Sequence, residues 1–144
     1  MIKAPIPENE VARIEALRQY QILDTSPEPA YDDLTHIAAG ICNAPISMVS
    51  LVDNDRAWFK SKYGIDASET PRDIGFCSHA ILQPDLFIIP DAADDRRFST
   101  NPLVTDEPKI RFYAGAPLIT PQGFTLGTLC VLDRVARSLT ENQQ

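Results

Sequence analysis

At 144 residues the chain has the length of one domain, which buries roughly 70% of its unfolded surface, and 44% apolar with 23% charged residues is a soluble globular balance. Thirteen basic against twenty acidic side chains leave a net charge of −7, which disfavours a nucleic-acid partner, because a phosphate backbone rewards clustered Lys and Arg. No apolar run approaches the ~20 residues that span a bilayer and no signal-peptide pattern opens the chain, so the expectation is a cytoplasmic protein without membrane contact from this segment.

A first helix is predicted to start near Pro7, whose fixed φ and missing N–H suit an initial helical position. Val11, Ile14 and Leu17 follow a helical stripe, with Glu8, Glu10, Arg13, Glu15 and Arg18 toward water. The two prolines of Asp24 to Pro29 break this helical segment of about 7–23. A second helix is expected from Ala30 to Asn43, with Leu34, Ile37, Ala38 and Ile41 on one face, and Pro45 stops it. Ile46 to Val52 is apolar on both sides and reads as a central strand. Asp53-Asn54-Asp55 turns the chain, and Arg56 to Tyr63 returns as the partner of a hairpin.

Gly64 to Phe76 reads as irregular. Ser78 to Leu82 reads as a short helix ended by Gln83-Pro84-Asp85, and Leu86 to Ile89 as a short strand. Asp91 to Lys109 is a long polar connection with room for one helical turn. Phe112 to Ile119 and Thr125 to Leu132 are the last strands, with Gly115 and Gly127 where a neighbour approaches closely. Thr140-Glu141-Asn142-Gln143 has the form of a capping box; one turn is not stable alone in water, so a linker helix from about 138 is expected to continue into another module. The sum is an α+β domain with a core of about 28–136. Its mostly antiparallel sheet has five or six strands, with terminal helices on one face and the 64–82 and 91–110 connections on the other.

Cys42, Cys77 and Cys130 are widely separated and odd in number, which reads as free thiols in a reducing compartment. His36 and His79 show no zinc spacing, so no metal is expected. No phosphate loop, Ser-His-Asp order or kinase signature is present, and the isolated domain is not expected to be an enzyme. Cys77 at a helix start with His79 nearby has the makings of an activated thiol; the alternative is a small buried thiol beside a hydrogen-bonded histidine. Asp91 and Arg97 lie in a charged run that either edges a pocket, with Arg97 or Arg111 gripping an anion, or faces water. Trp58, Phe59, Phe76, Phe112 and Tyr113 are either core or the wall of an apolar cavity; Trp58 and Tyr113 are the stronger cavity candidates because their polar tips need partners.

The order Pro71-Arg72, Phe76-Cys77-Ser78-His79-Ala80-Ile81, Ile89-Pro90-Asp91-Ala92, then Leu126 to Asp133, resembles a GAF domain over about Ile6 to Leu139. GAF domains are sensory modules of bacterial histidine kinases, diguanylate cyclases and phosphodiesterases. The resemblance implies a small-molecule sensor within a two-component or cyclic-di-GMP protein, with no required cofactor. Its unidentified ligand would meet Trp58, Phe76, Cys77, His79, Asp91, Arg97, Phe112 and Tyr113. Ligand state would pass through terminal helices to an output domain of the same polypeptide, in a homodimer joined through Val11, Ile14, Leu17 and the Thr140 helix. Cyclic GMP is not supported, since the Asn-Lys-x-Asp signature is missing. Three alternatives remain. A free methionine sulfoxide reductase would need cysteines in the connections, whereas Cys42 and Cys130 fall in a helix and a strand. A bilin photosensor usually has histidine directly after its cysteine, where Ser78 follows Cys77. The last alternative is a dimerising scaffold that binds nothing.

Overall fold

Strand β1 (Ile46–Val52) is buried along all seven residues, which is the fate of an apolar run in the middle of a sheet covered on both faces. In the computed structural model, which describes residues 2–140 and 143, β1 pairs antiparallel with β2 (Arg56–Tyr63) on one side and β6 (Thr125–Asp133) on the other. β3 (Glu69–Pro71) extends the sheet beyond β2, and β5 (Phe112–Ile119) with β4 (Phe87–Ile89) extends it beyond β6. The order is β3-β2-β1-β6-β5-β4, and every pairing is antiparallel.

Helices α1 (Glu10–Gln19) and α2 (Pro29–Cys42) cover one face. Leu17 packs there with Leu51, Trp58 and Leu126, and Cys42 with Phe112, Ala114 and Val131. The opposite face carries the larger core. The connections bearing α3 (Cys77–Ala80) and α4 (Pro102–Thr105) roof it, bringing Phe76, Ala80, Phe98 and Ile110 onto Ile46, Met48, Phe59, Tyr113 and Cys130.

Three sequence readings are corrected. β3 lies in the stretch read as irregular: it is a three-residue edge containing Pro71, too short for a period and placed where the missing N–H does no harm. α1 starts at Glu10 rather than near Pro7, because Pro7 sits in a turn whose carbonyl accepts from Glu10 N at 3.1 Å. The faces of both helices also differ. Val11 is 84% exposed while Arg13 is 1% exposed, so the stripe expected to join two copies is divided: Ile14 and Leu17 are spent on the chain's own core and Val11 faces outward. On α2 the small residues Thr35, Ala39 and Cys42 meet the sheet, which lets the helix approach closely. Leu34, Ile37 and Ile41 point outward, 47%, 58% and 56% exposed.

At the C-terminal end, Thr140 N donates to Gln143 Oε1 at 2.9 Å, one half of the expected capping box. The continuation of that helix falls on residues 141, 142 and 144, outside the described residues.

Candidate functional site

Between the sheet and its roof lies a cavity of about 40 Å³. β1 contributes Met48 and Ser50, β2 Phe59, β5 Tyr113, and β6 Cys130 and Leu132; Phe76 and Cys77 come from the first roof connection and Leu103, Pro108 and Ile110 from the second. Strand alternation explains the selection. Met48 and Ser50 share one face of β1, and Tyr113 stands opposite Leu132 with Phe112 on the other side. Gly115 makes the site possible: a Cβ there would lie 2.4 Å from the Tyr113 hydroxyl, so only glycine lets the ring lie flat along its own strand.

The polar side-chain atoms of Ser50, Cys77, Tyr113 and Cys130 around the cavity all have partners. Ser50 Oγ and Cys77 Sγ are 3.2 Å apart, and Tyr113 Oη and Thr128 Oγ1 are 3.2 Å apart. The Cys130 thiol points to the Met48 carbonyl at 3.7 Å. Burial pushes the Cys77 thiol above its ordinary range, more than the Ser50 hydrogen bond lowers it. Burial, then the neighbouring Cys77, pushes Cys130 up to about 12, and burial holds the Tyr113 phenol well above its usual value. The site is therefore neutral and apolar at physiological pH.

Of the eight expected ligand residues, Phe76, Cys77 and Tyr113 come together here. Trp58 packs against Leu17 and Leu51 on the helix side, and Phe112 against Cys42 and Val131 on that same side. The activated-thiol reading of Cys77 with His79 is corrected. His79 turns to the N-terminal strap, its Nε2 3.0 Å from the Ile2 carbonyl, and lies edge-on to Phe98 at 4.8 Å. Burial, foremost, lowers its pKa. Asp91 and Arg97 lie outside the cavity as well. Asp91 takes both Nε and Nη2 of Arg111 at 2.6 Å. Arg97 pairs with Asp95 at 2.8 Å and lies over Phe87, 5.0 Å from its ring centre. Both guanidiniums considered for an anion thus already hold a carboxylate. Sequence reasoning missed Met48, Ser50, Leu103, Pro108, Ile110 and Cys130, which become neighbours only through sheet pairing and roof closure.

A second cluster ties the roof to α1. Arg72, in the 3-10 turn just before Phe76, gives both terminal nitrogens to the Glu10 carboxylate. Arg13 grips the same carboxylate from Nε at 3.0 Å and Nη2 at 3.1 Å. Burial alone would raise the Glu10 carboxyl, but hydrogen bonds from Arg72 and Arg13 outweigh it and hold it down to about 2. Arg72 also donates to the Asp53 carbonyl at 3.0 Å, and its own carbonyl accepts from Ser78 Oγ at 2.7 Å. Asn101 Nδ2 donates to the Ile74 carbonyl at 2.9 Å and joins the two roof connections. Among the described residues, no group of three or more His, Cys, Asp or Glu is placed to hold a metal ion, and no helix is long and apolar enough to cross a membrane.

Comparison with known proteins fits this architecture. A cyclic di-GMP phosphodiesterase of Pseudomonas aeruginosa is 41% identical over 137 residues, covering 95% of this chain and 23% of that protein; the chain therefore spans about a quarter of that relative's length. The GAF domain of a phosphoenolpyruvate-protein phosphotransferase from Coxiella burnetii superposes with a TM-score of 0.64 at 15% identity, covering 94% of this chain and 83% of that one. A free methionine-R-sulfoxide reductase from Neisseria meningitidis does so at 0.62 and 15% identity, covering 99% and 85%. At such identities the likeness is one of fold. The GAF domain family model matches residues 26–144, and on that match, over most of its length, the chain belongs to the GAF domain family.

Proposed function

We propose that this GAF domain is the sensory part of a larger signalling protein, and that a small molecule entering the roofed cavity changes how α1 is held. One observation carries the proposal: the roof connection that contributes Phe76 and Cys77 to the cavity also contributes Arg72 to Glu10 of α1. A ligand that lifts the roof pulls on a buried ion pair, and the pair has few substitutes, because an unpaired charge in a buried site is costly. Binding thereby favours one arrangement of the N-terminal helix over another, to the extent of the ligand's differential affinity for the two.

The output module is proposed to be a cyclic-di-GMP enzyme, on the strength of the Pseudomonas relative. The domain itself is proposed to be non-catalytic, since burial raises the Cys77 thiol and a thiol nucleophile needs its thiolate. Residues proposed to touch the ligand are Phe76, Cys77 and Tyr113. Two copies are proposed to pair through the outward face of α2, with Leu34, Ile37 and Ile41 at helical spacing; sedimentation of the chain before and after Ile37→Glu tests this, and a monomer before substitution refutes it.

Amide hydrogen exchange tests the coupling. Glu10→Gln is expected to raise exchange both in α1 and in residues 72–82. If exchange rises in α1 while the roof keeps its wild-type protection, the proposed route is wrong.

A further inference from the structure

The cavity's lining restricts its occupant, and this inference rests on the sensory reading above. Among the described residues, those around the cavity carry no Lys, Arg, Asp, Glu or His. The polar atoms of Ser50, Cys77, Tyr113 and Cys130 are already engaged with one another or with Thr128 and the Met48 carbonyl. The guanidiniums closest in sequence to the roof's cavity residues are Arg72, Arg97 and Arg111, each bound to a carboxylate elsewhere, and Lys109, between Pro108 and Ile110, is exposed to solvent. An anion placed here would lose its hydration and gain no countercharge, a penalty larger than the apolar contact of so small a site returns. Water is no better suited, since an internal water needs two to four free polar partners and the lining adds only the Thr70 hydroxyl to the groups already engaged.

The same geometry shows where the cavity can grow. Its sheet floor is fully covered, whereas Leu103 and Pro108 of the second roof connection are only partly buried. A rotamer change of Leu103, with a shift of the loop segment that carries Pro108, widens the space without breaking a strand pairing. We propose that this sensor's ligand is a small uncharged apolar molecule, of the size of one aromatic ring or a short hydrocarbon, and that nucleotides and carboxylate metabolites are excluded.

Toluene and benzoate form the test pair, nearly equal in size and differing in charge. The chain has two methionines, so methyl-labelled methionine gives a Met48 signal at the cavity wall, assigned through Met48→Leu. Toluene is expected to shift that signal and raise the melting temperature, with an affinity at least tenfold above benzoate. Cys130→Leu, which fills the cavity, is expected to abolish the toluene response; should it not fold, the Met48 signal of the wild-type chain still locates the probe. If benzoate moves the Met48 signal as strongly as toluene, the ligand class is wrong while the sensory reading stands. If neither probe moves it at saturation, the cavity does not open, and both readings fail together.

Discussion

Replacing Glu10 by Gln removes the one carboxylate between two buried guanidiniums and leaves their charges facing each other. Arg13 is almost fully buried and Arg72 nearly so, so the cost is expected near that of breaking a buried pair, ~3–5 kcal/mol. The pH dependence isolates the ionic part. Glu10 titrates at about 2 when folded, against 4.5 for an unperturbed glutamate. A gap of that size corresponds to at most ~3.4 kcal/mol at 1.36 kcal/mol per pH unit, and about 1–2 kcal/mol once solvent screening of a side chain still 15% exposed is allowed for. A carboxyl depressed by folding stabilises above its unfolded pKa, and that stability is lost as pH falls through the folded value. Urea unfolding of both proteins from pH 7 to pH 2.5 should therefore give a difference that is constant above about pH 5 and shrinks below pH 4.5. His79, Asp24, Asp91 and Asp95 also have lowered pKa values, but they titrate in both proteins and cancel. A difference that stays flat across the acid range would refute the ionic role of Glu10.

Gly115→Ala should destabilise by about 1–3 kcal/mol, because its Cβ would collide with the Tyr113 ring; denaturant melts should show much of the loss restored in a Tyr113→Leu background, and no restoration would disprove the clash. Tyr113→Phe should cost ~1 kcal/mol, since Thr128 loses its partner inside the core; an unchanged melting curve would contradict that bond. Iodoacetamide at pH 8 should leave Cys77 and Cys130 unlabelled until urea unfolds the chain, as read by intact-mass spectrometry, and native labelling at the rate of a free thiol would contradict their burial. The same thiols set an alkaline limit: folding raises their pKa values, so stability should decline above about pH 8.5, where unfolded cysteines ionise and folded ones do not.

Strands were readable where the chain is long, β-branched and bounded by turn residues. Ile46 to Val52, the Asp53-Asn54-Asp55 turn and the return from Arg56 all stand as the sequence implies. Gly115 and Gly127 are points of close approach, as a glycine inside a strand implies: a Cβ on Gly127 would meet the Ser50 carbonyl at 1.9 Å. Helix faces were not readable in the same way. On α1, two apolar residues and an arginine turn inward, because Glu10, held with Arg72, lets a guanidinium be buried that would otherwise stay in water. On α2, closeness to the sheet outranks hydrophobicity, so Ala39 and Thr35 go in and Ile37 stays out. A hydropathy stripe records which side chains avoid water, and here it does not record which neighbour sits near enough to demand a small residue.

The site was harder to read than the fold for a reason that lies in the sheet itself. Where one face meets water, alternation of polar and apolar residues tells which side chains share a side. Here helices cover one face and the roof the other, so both parities of β1 are buried and hydropathy no longer separates them. Trp58 and Phe59 are equally apolar neighbours on β2, yet Phe59 reaches the cavity and Trp58 lies under α1. Phe112 and Tyr113 divide in the same way. What does separate the faces is smaller and more local. Gly115 leaves room for the Tyr113 ring two residues away, and Thr128, across the strand pair, supplies the hydroxyl that ring needs. In a sheet buried on both sides, the side on which a cavity forms is thus encoded in size and hydrogen-bond complementarity across strands, and a pattern read along one strand passes over it.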